Sequence, residues 1–443
     1  MHNHVRARAL PLMAVAVATA LAMAGCSSGS GPAPAQTGSG KGDIVIWAHQ
    51  GQDSENAAVQ NAVKDFNASQ KDIKATLKLL SGDTYTTTIT NTPVDKLPDV
   101  LEMDGPTVAT NVFNQKLSPL EGLVPAATIS NATSGAVAEG TVDKKLYALA
   151  MYDSALGIYG NKKLLDAAGV KYPTSMAEAW TPEQFTAALE KLAAKSKTGK
   201  SLDIQEQYGL AGEWGAYAFS PLLQSAGGNL IKDDKATGVL DSDASVKALE
   251  EFTSWKKYVD PNADGNAFPN KRVALSWGGH WLYPTYSKAL GDDLLDLPLP
   301  NMGEGAKTGA GSWTWGIGAG SKNGSAAGKF LAFLLNDKNV GAMTTANGAP
   351  PATKSAYAAD KTYQSGGGLA LFGQQLQSTC QASDVTASCV AVFRPVTAGY
   401  PTITSQFGKA LAAIYGGADV KAQLSNAAKA IDQDFSDNGN YTN

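Results

Sequence analysis

Asp43-Ile44-Val45-Ile46-Trp47-Ala48 is the stretch on which the fold turns. Its β-branched and aromatic residues run without a polar break, which reads as a strand buried on both faces. A polar loop, His49 to Asp53, follows. Val59, Ala62, Val63 and Phe66 then recur on one helical face. Ile73, Ala75, Leu77 and Leu79 alternate as a second strand. A third, short strand from Asp99 to Met103 ends at Asp104-Gly105-Pro106. Strand, helix and strand in this rhythm predict a parallel α/β sheet.

The theme returns further along. Leu146 to Met151 and Ala155 to Tyr159 read as strands. Thr181-Pro182-Glu183-Gln184 combines an N-cap, a proline at the first helical position and a capping-box glutamine. Phe185, Ala188, Leu189 and Leu192 supply that helix's buried stripe. Val273 to Trp277 is a strand entering Gly278-Gly279, and Trp313 to Ile317 is another. Val420, Leu424, Ala427 and Ile431 mark a last amphipathic helix. No internal repeat is visible.

The N-terminus reads as an export signal. Arg6 and Arg8 precede an apolar run from Leu10 to Met23, short for a membrane span of about 20 residues. Ala24-Gly25-Cys26 resembles the lipobox of bacterial lipoproteins, with Met23 standing where leucine is usual. That resemblance implies a signal peptide over residues 1–25 and a lipid on Cys26. Ser27 to Gly42 is rich in Ser, Gly, Pro and Ala, so residues 26–42 are expected to form a flexible tether. The formal net charge of −4 becomes more negative once Arg6 and Arg8 leave with the leader. An acidic chain argues against nucleic acid as partner. Cys380 and Cys389 remain as a close pair in an oxidising compartment, which reads as a disulfide.

Motifs for covalent chemistry are absent or broken. Gly199-Lys200-Ser201 has the end of a phosphate loop, but Ala194 stands where its first glycine belongs. The only G-x-S-x-G spans Gly25 to Gly29, across the lipobox. Asp260 to Gly265 opens like a calcium loop, but Lys271 occupies the place of the bidentate glutamate. His49 and His280 have no metal-ligand spacing. No cofactor or metal is expected.

Three clusters pair tryptophan with glycine: Ser276 to Trp281, Gly311 to Gly316, and Glu213 to Tyr217. Trp313 and Trp315 share a strand face. Gly278-Gly279 is expected to bare backbone amides toward an oxygen ligand. A sugar needs flat aromatic platforms for its C–H faces and charged or amide groups for its hydroxyls. Asp104 and Arg394 are candidates for the latter. Each tryptophan read alone could equally be core.

The ordered segments Ile46-Trp47, Leu97 to Val100, Asp143 to Leu149, Tyr159 to Lys162, Ser225 to Gly228, Trp277 to Trp281, Ala327 to Leu331 and Arg394 to Val396 resemble the carbohydrate-binding solute-binding lipoproteins of bacterial ABC importers, the group that includes maltose-binding proteins. The resemblance implies a two-lobed α/β, periplasmic-binding-protein-like fold with a ligand cleft between lobes joined by hinges. Residues 43–152 and 305–345 are expected in lobe 1, and 153–304 and 346–443 in lobe 2. By family position, Gln50, Asp104, Asp153, Tyr217, Trp277, Gly279, Trp281, Trp313 and Arg394 are similar to cleft-lining residues, with Tyr85, Trp214, His280 and Trp315 added; Asp153 could equally be a hinge hydrogen-bonder. The implied protein is a monomeric receptor, lipid-anchored outside the cytoplasmic membrane, that delivers a di- or oligosaccharide to a permease. Two other readings are an exported glycan-active enzyme, with Asp104 as catalytic carboxylate, and a cell-wall adhesion protein.

Overall fold

The computed structural model describes residues 35–442; the leader, Cys26 and most of the expected tether lie outside them. The opening strand is β1 (Gly42–Gln50), followed by helix α1 (Asp53–Ser69), β2 (Ile73–Ser81), helix α2 (Gly82–Asn91) and β3 (Val100–Asp104). β1 pairs in parallel with both β2 and β3. The strand Trp313–Gly318 then joins β3 antiparallel, so the sheet is mixed rather than wholly parallel. α1 buries Val59, Ala62, Val63 and Phe66. Phe66 meets Phe330 and Phe333 edge-on at 5.2 and 5.3 Å.

One expectation about β1 fails. Only Ile44, Ile46 and Ala48 are buried, while Val45 is 42% exposed. Helices cover one face of β1 along its length. The other face is covered only toward its C-terminal end, where Tyr85 of α2 bonds to Trp47. Lys78 lies over the outer edge, 5.3 Å from the Trp47 ring.

A second sheet takes Leu294–Leu297, Leu156–Asn161, Leu275–Gly279 and Leu202–Asp203 in that order. Its core includes Phe185, Phe219, Phe252, Trp255 and Trp277. The helix Pro182–Lys195 has its Thr181–Gln184 capping box in place, a device worth about 1 kcal/mol. A third, all-parallel sheet joins Thr308–Ala310, Ala391–Phe393 and Thr379–Cys380. Cys380 and Cys389 are disulfide-bonded.

The two large sheets are the centres of two lobes. The chain passes between them near Tyr152–Ala155, where Tyr152 bridges Pro351 and Ala155 bridges Ala310, and again near Gly311–Ser312. The first lobe's core also takes in Ala349, Ala352 and Ala356, which the expected division at residue 345 gave to the other lobe. Among the described residues no helix is long and apolar enough to cross a membrane.

Candidate functional site

β1 and β3 end, and the strand Trp313–Gly318 begins, at one edge of the first sheet; Trp313 pairs with Asp104 there. The His49 ring lies flat on Trp313, centroids 3.8 Å apart and planes at 11°. His49 Nδ1 sits 2.8 Å from Glu102 Oε2. Burial disfavours the His49 proton, but the charge and hydrogen bond of Glu102, with help from Glu55 and Asp104, raise its pKa above 6.5. One face of Trp313 is therefore covered by the His49 ring. Gln50 stands exposed at the end of β1.

Two expected residues in this lobe are structural. Tyr85 is fully buried and donates its hydroxyl to the Trp47 and Glu102 carbonyls at 3.0 and 2.8 Å, bracing β1 to β3. Trp315 shares a strand face with Trp313 but lies two residues deeper, with no exposure, in the lobe core.

The second lobe supplies an aromatic corner. Trp281 is half-buried and packs edge-on against Trp214 and Tyr208, at 5.9 and 6.3 Å. Its indole N–H donates to the Tyr208 hydroxyl at 3.1 Å, and Tyr208 itself is 46% exposed. Tyr217 lies 6.4 Å from Trp281. Trp214 is mostly buried and donates its indole N–H to the Ile204 carbonyl at 3.1 Å, so it backs the corner. The glycine pair does not bare amides to a ligand: Gly278 and Gly279 are both buried. A Cβ on Gly279 would stand 2.1 Å from the Trp281 ring, so this glycine seats the ring. Trp277 is fully buried beside Phe219 and is core, not platform. His280 is also buried, its Nδ1 3.0 Å from the Asn347 carbonyl. Burial pushes it down to about 4, so it is neutral at pH 7. It packs edge-on against Tyr152 of the first lobe.

A charged bridge joins the two sides. Arg394, just past the strand Ala391–Phe393, donates from both terminal nitrogens to Asp104, at 3.0 and 2.9 Å, and from one to Glu213 at 2.6 Å. Its guanidinium lies over the Tyr217 ring at 4.8 Å. Its Nε–H has no partner among the described residues. Glu213, at the start of the helix Glu213–Ser225, also accepts from Tyr400 and Thr404, at 2.5 and 2.8 Å. Burial pushes Asp104 up to about 6 although Arg394 pulls the other way; Glu213 on the same guanidinium adds to the rise.

Behind the bridge lies the hinge. Asp153 accepts from the Ser154 and Gly311 N–H groups at 2.7 and 3.3 Å, tying two crossing segments together. Tyr217 donates its hydroxyl to Ser154 Oγ at 2.8 Å. Burial lifts Asp153 to about 6 against the pull of those N–H bonds. Glu139 accepts from Ser312 N–H at 2.9 Å. A Cβ on Gly105 would collide with the Glu139 carboxylate at 1.8 Å, so the turn after Asp104 requires glycine.

The structure thus brings together Asp104, Tyr217, Trp281, Trp313 and Arg394. It makes Trp277, Trp315, Tyr85 and His280 interior and Asp153 a hinge tie. Tyr208, Glu213, His49 and Tyr400 are additions that sequence reasoning did not single out. The one local signal for Tyr208 was a large aromatic side chain in the polar loop Gln205 to Gly209. Both Asp104 oxygens accept from Arg394. The calcium-like loop is tied by Arg272 to Asp260 and Asp264 at 3.1 and 2.6 Å. A groove of about 1010 Å³ between Val137, Ile231, Ala382 and Val396 also separates the lobes, but none of the aromatic or charged groups above line it.

The model of the bacterial extracellular solute-binding proteins matches residues 61–370. The chain belongs to this family. A maltodextrin-binding protein, MdxE of Bacillus subtilis, is 27% identical over 49% of this chain and 52% of its own length. An uncharacterized lipoprotein in the oleD 5′ region of Streptomyces antibioticus is 24% identical over 64% of each chain. This chain therefore spans between half and two thirds of those two relatives. The crystal structure of the cyclic α-maltosyl-1,6-maltose binding protein of Arthrobacter globiformis superposes with a TM-score of 0.70 at 22% identity, covering 88% of this chain and 98% of that one. That likeness establishes the two-lobed solute-binding fold.

Proposed function

We propose that this solute-binding protein is a lipid-anchored, extracytoplasmic receptor that binds a sugar between its lobes and delivers it to an ABC-type permease. The observation that carries the reading is the corner of Tyr208 and Trp281 on one lobe, joined through Arg394 to the Asp104 edge and Trp313 on the other. Aromatic faces suit the C–H faces of a sugar ring. Asp104, Glu213 and Arg394 suit its hydroxyls with charge-assisted bonds. Each lobe supplies both kinds of group, Trp313 and Asp104 on the first and Tyr208, Trp281 and Glu213 on the second, so a sugar touching both lobes favours closure about the hinge. Because platforms stand on both sides, a di- or oligosaccharide fits better than one ring. No covalent step is involved. The lipobox-like Ala24-Gly25-Cys26 and the lipoprotein relative support anchoring through Cys26; attachment stable enough for a resident receptor needs more than one acyl chain.

The test is a thermal-shift screen of the folded protein against a panel of oligosaccharides and monosaccharides, followed by calorimetry on any hit. A true ligand at about 100 times its Kd adds about 2.7 kcal/mol, and it shifts tryptophan emission and compacts the scattering profile. A panel with no hit, or a hit that is cleaved, rejects the receptor reading. For the anchor, Cys26→Ala should move the protein out of the membrane fraction; unchanged fractionation rejects lipidation.

A further inference from the structure

Gln205 opens the loop that carries Tyr208, and its backbone takes a conformation that its side chain makes costly. Its φ and ψ are 58° and 44°, in the left-handed region. Among the described residues it is the only buried one of the non-glycine residues with positive φ. Glycine would take that conformation without steric cost, and an apolar side chain would avoid burying an amide. The residue present is an amide with no exposure, and both of its ends are engaged.

Gln205 Nε2 lies 2.9 Å from Asp203 Oδ2, 3.0 Å from Ser276 Oγ and 3.1 Å from the Tyr286 hydroxyl. Ser276 Oγ and that hydroxyl are themselves 3.0 Å apart. Gln205 Oε1 accepts from Gln207 Nε2 at 2.6 Å. On the main chain, Gln205 N–H donates to Asp203 Oδ1 at 2.8 Å, and the Gln205 carbonyl accepts from Tyr208 N–H at 3.1 Å.

These partners decide what the amide holds. Asp203 and Gln207 belong to the segment that leads to Tyr208. Ser276 lies in the strand Leu275–Gly279 and Tyr286 in the helix Tyr283–Leu290. Trp281 falls midway between those two positions. One side chain thus ties the Tyr208 loop to both elements that carry Trp281. The neighbouring Ile204 carbonyl accepts the Trp214 indole N–H, so the backing of the corner hangs on the same segment.

We infer that Gln205 is the positioning residue of the aromatic corner, setting Tyr208 against Trp281 before any sugar arrives. Groups held in place beforehand spare a ligand the cost of ordering them. The left-handed turn is the strain that lets one amide reach all these partners. What the corner recognises rests on the sugar-receptor reading; what Gln205 holds does not.

The experiment reads the indole N–H resonances of the folded protein, isotopically labelled at its tryptophan nitrogens and assigned with Trp281→Phe and Trp214→Phe. Gln205→Gly keeps the turn and deletes the amide. In it the Trp281 resonance should shift and its hydrogen exchange should quicken several-fold. Trp180 and Trp255, in the same lobe, donate their indole N–H groups to the Lys171 carbonyl and Thr186 Oγ1 at 3.1 and 2.9 Å, and their resonances should stay in place. A Trp281 signal that is unchanged, or that moves no more than those two, overturns the inference. Tyr286→Phe removes a single partner of the amide and gives the same reading if Gln205→Gly fails to fold. For a sugar found in the panel screen, Kd should rise about tenfold in either variant, and the rise should shrink in a Tyr208→Ala background. An unchanged Kd overturns the role in recognition. If the parent protein binds no sugar in the panel, the receptor reading fails, while the indole resonances still decide whether Gln205 holds the corner.

Discussion

Arg394→Met is the substitution that best probes the bridge between the lobes. It keeps an apolar stem over Tyr217 and removes the guanidinium that holds Asp104 and Glu213. The side chains of Arg394 and Asp104 are only 6% and 15% exposed, whereas Glu213 is 36% exposed. Removing one partner of a buried pair costs about 3–5 kcal/mol, because the other charge stays buried and uncompensated. Glu213 has access to water and other partners, so most of the penalty falls on Asp104 and the expected loss is about 3 kcal/mol at pH 8. The sign of the pH dependence follows from Asp104. Burial already lifts its pKa to about 6. Without the cation it rises further, so in the variant the folded state takes up a proton that the unfolded chain releases. The penalty therefore shrinks as pH falls below that raised value, and it is largest in alkaline solution. Urea unfolding of the ligand-free protein at pH 8 and pH 5.5 measures it, provided the slope with urea is unchanged. Adding Asp104→Asn to Arg394→Met removes the stranded charge and should return about 1 kcal/mol or more at pH 8, the coupling expected of touching residues. A single variant as stable as wild type at both pH values, with no coupling in the double variant, would refute the bridge.

Other substitutions separate core from platform. Trp277→Ala should lower the unfolding free energy by about 3–5 kcal/mol and leave sugar affinity of the folded fraction unchanged; an affinity loss larger than the stability loss returns Trp277 to the cleft. Tyr208→Ala should do the reverse, weakening sugar binding by about 1.5 kcal/mol with a melting temperature close to wild type, and unchanged affinity in calorimetry removes it from the site. His280 is held neutral by burial, its pKa down at about 4 from 6.5. The unfolded chain takes its proton first as pH falls, so stability should drop between pH 6.5 and 4 by at most about 3.4 kcal/mol; the same slope in His280→Asn rules this histidine out as the cause.

Much of the local structure was legible because helix burial repeats over a few residues. The buried stripes of α1 and of Pro182–Lys195 are the ones their periodicity predicts. The Thr181 cap was readable because its partner is three positions away. The run at Asp43–Ala48 misled because unbroken apolar composition says nothing about what covers each face. Val45 is open since no helix reaches the outer face at that end of β1. Residues 35–42, the described end of the expected tether, misled for a different reason. Small and polar residues read as tether, yet their backbone groups bond to Ser321, Gly324 and Ser325, far along the chain.

The site was harder to read, and the reason is depth along a strand. Trp313 and Trp315 have the same neighbours in sequence, the same face and the same chemistry. They differ by one two-residue step, about 7 Å. That step takes the side chain from the rim, where His49 covers only part of it, into a core with no exposure. Trp277 and Trp281 differ likewise: one lies within a strand, the other beyond its end and folded back over Gly279. Whether an aromatic residue is a platform or core thus depends on where its strand stops at the cleft, a boundary set by the facing lobe. The charged bridge is more remote still. Asp104 and Glu213 lie 290 and 181 positions from Arg394, so no local pattern could pair them. Asp104 and Arg394 were legible as charged residues suited to sugar hydroxyls, but their mutual bond was not. That bond makes the free protein's site partly self-satisfied. A sugar must therefore compete with Arg394 for Asp104, and replacing Arg394 should change affinity and inter-lobe stability together.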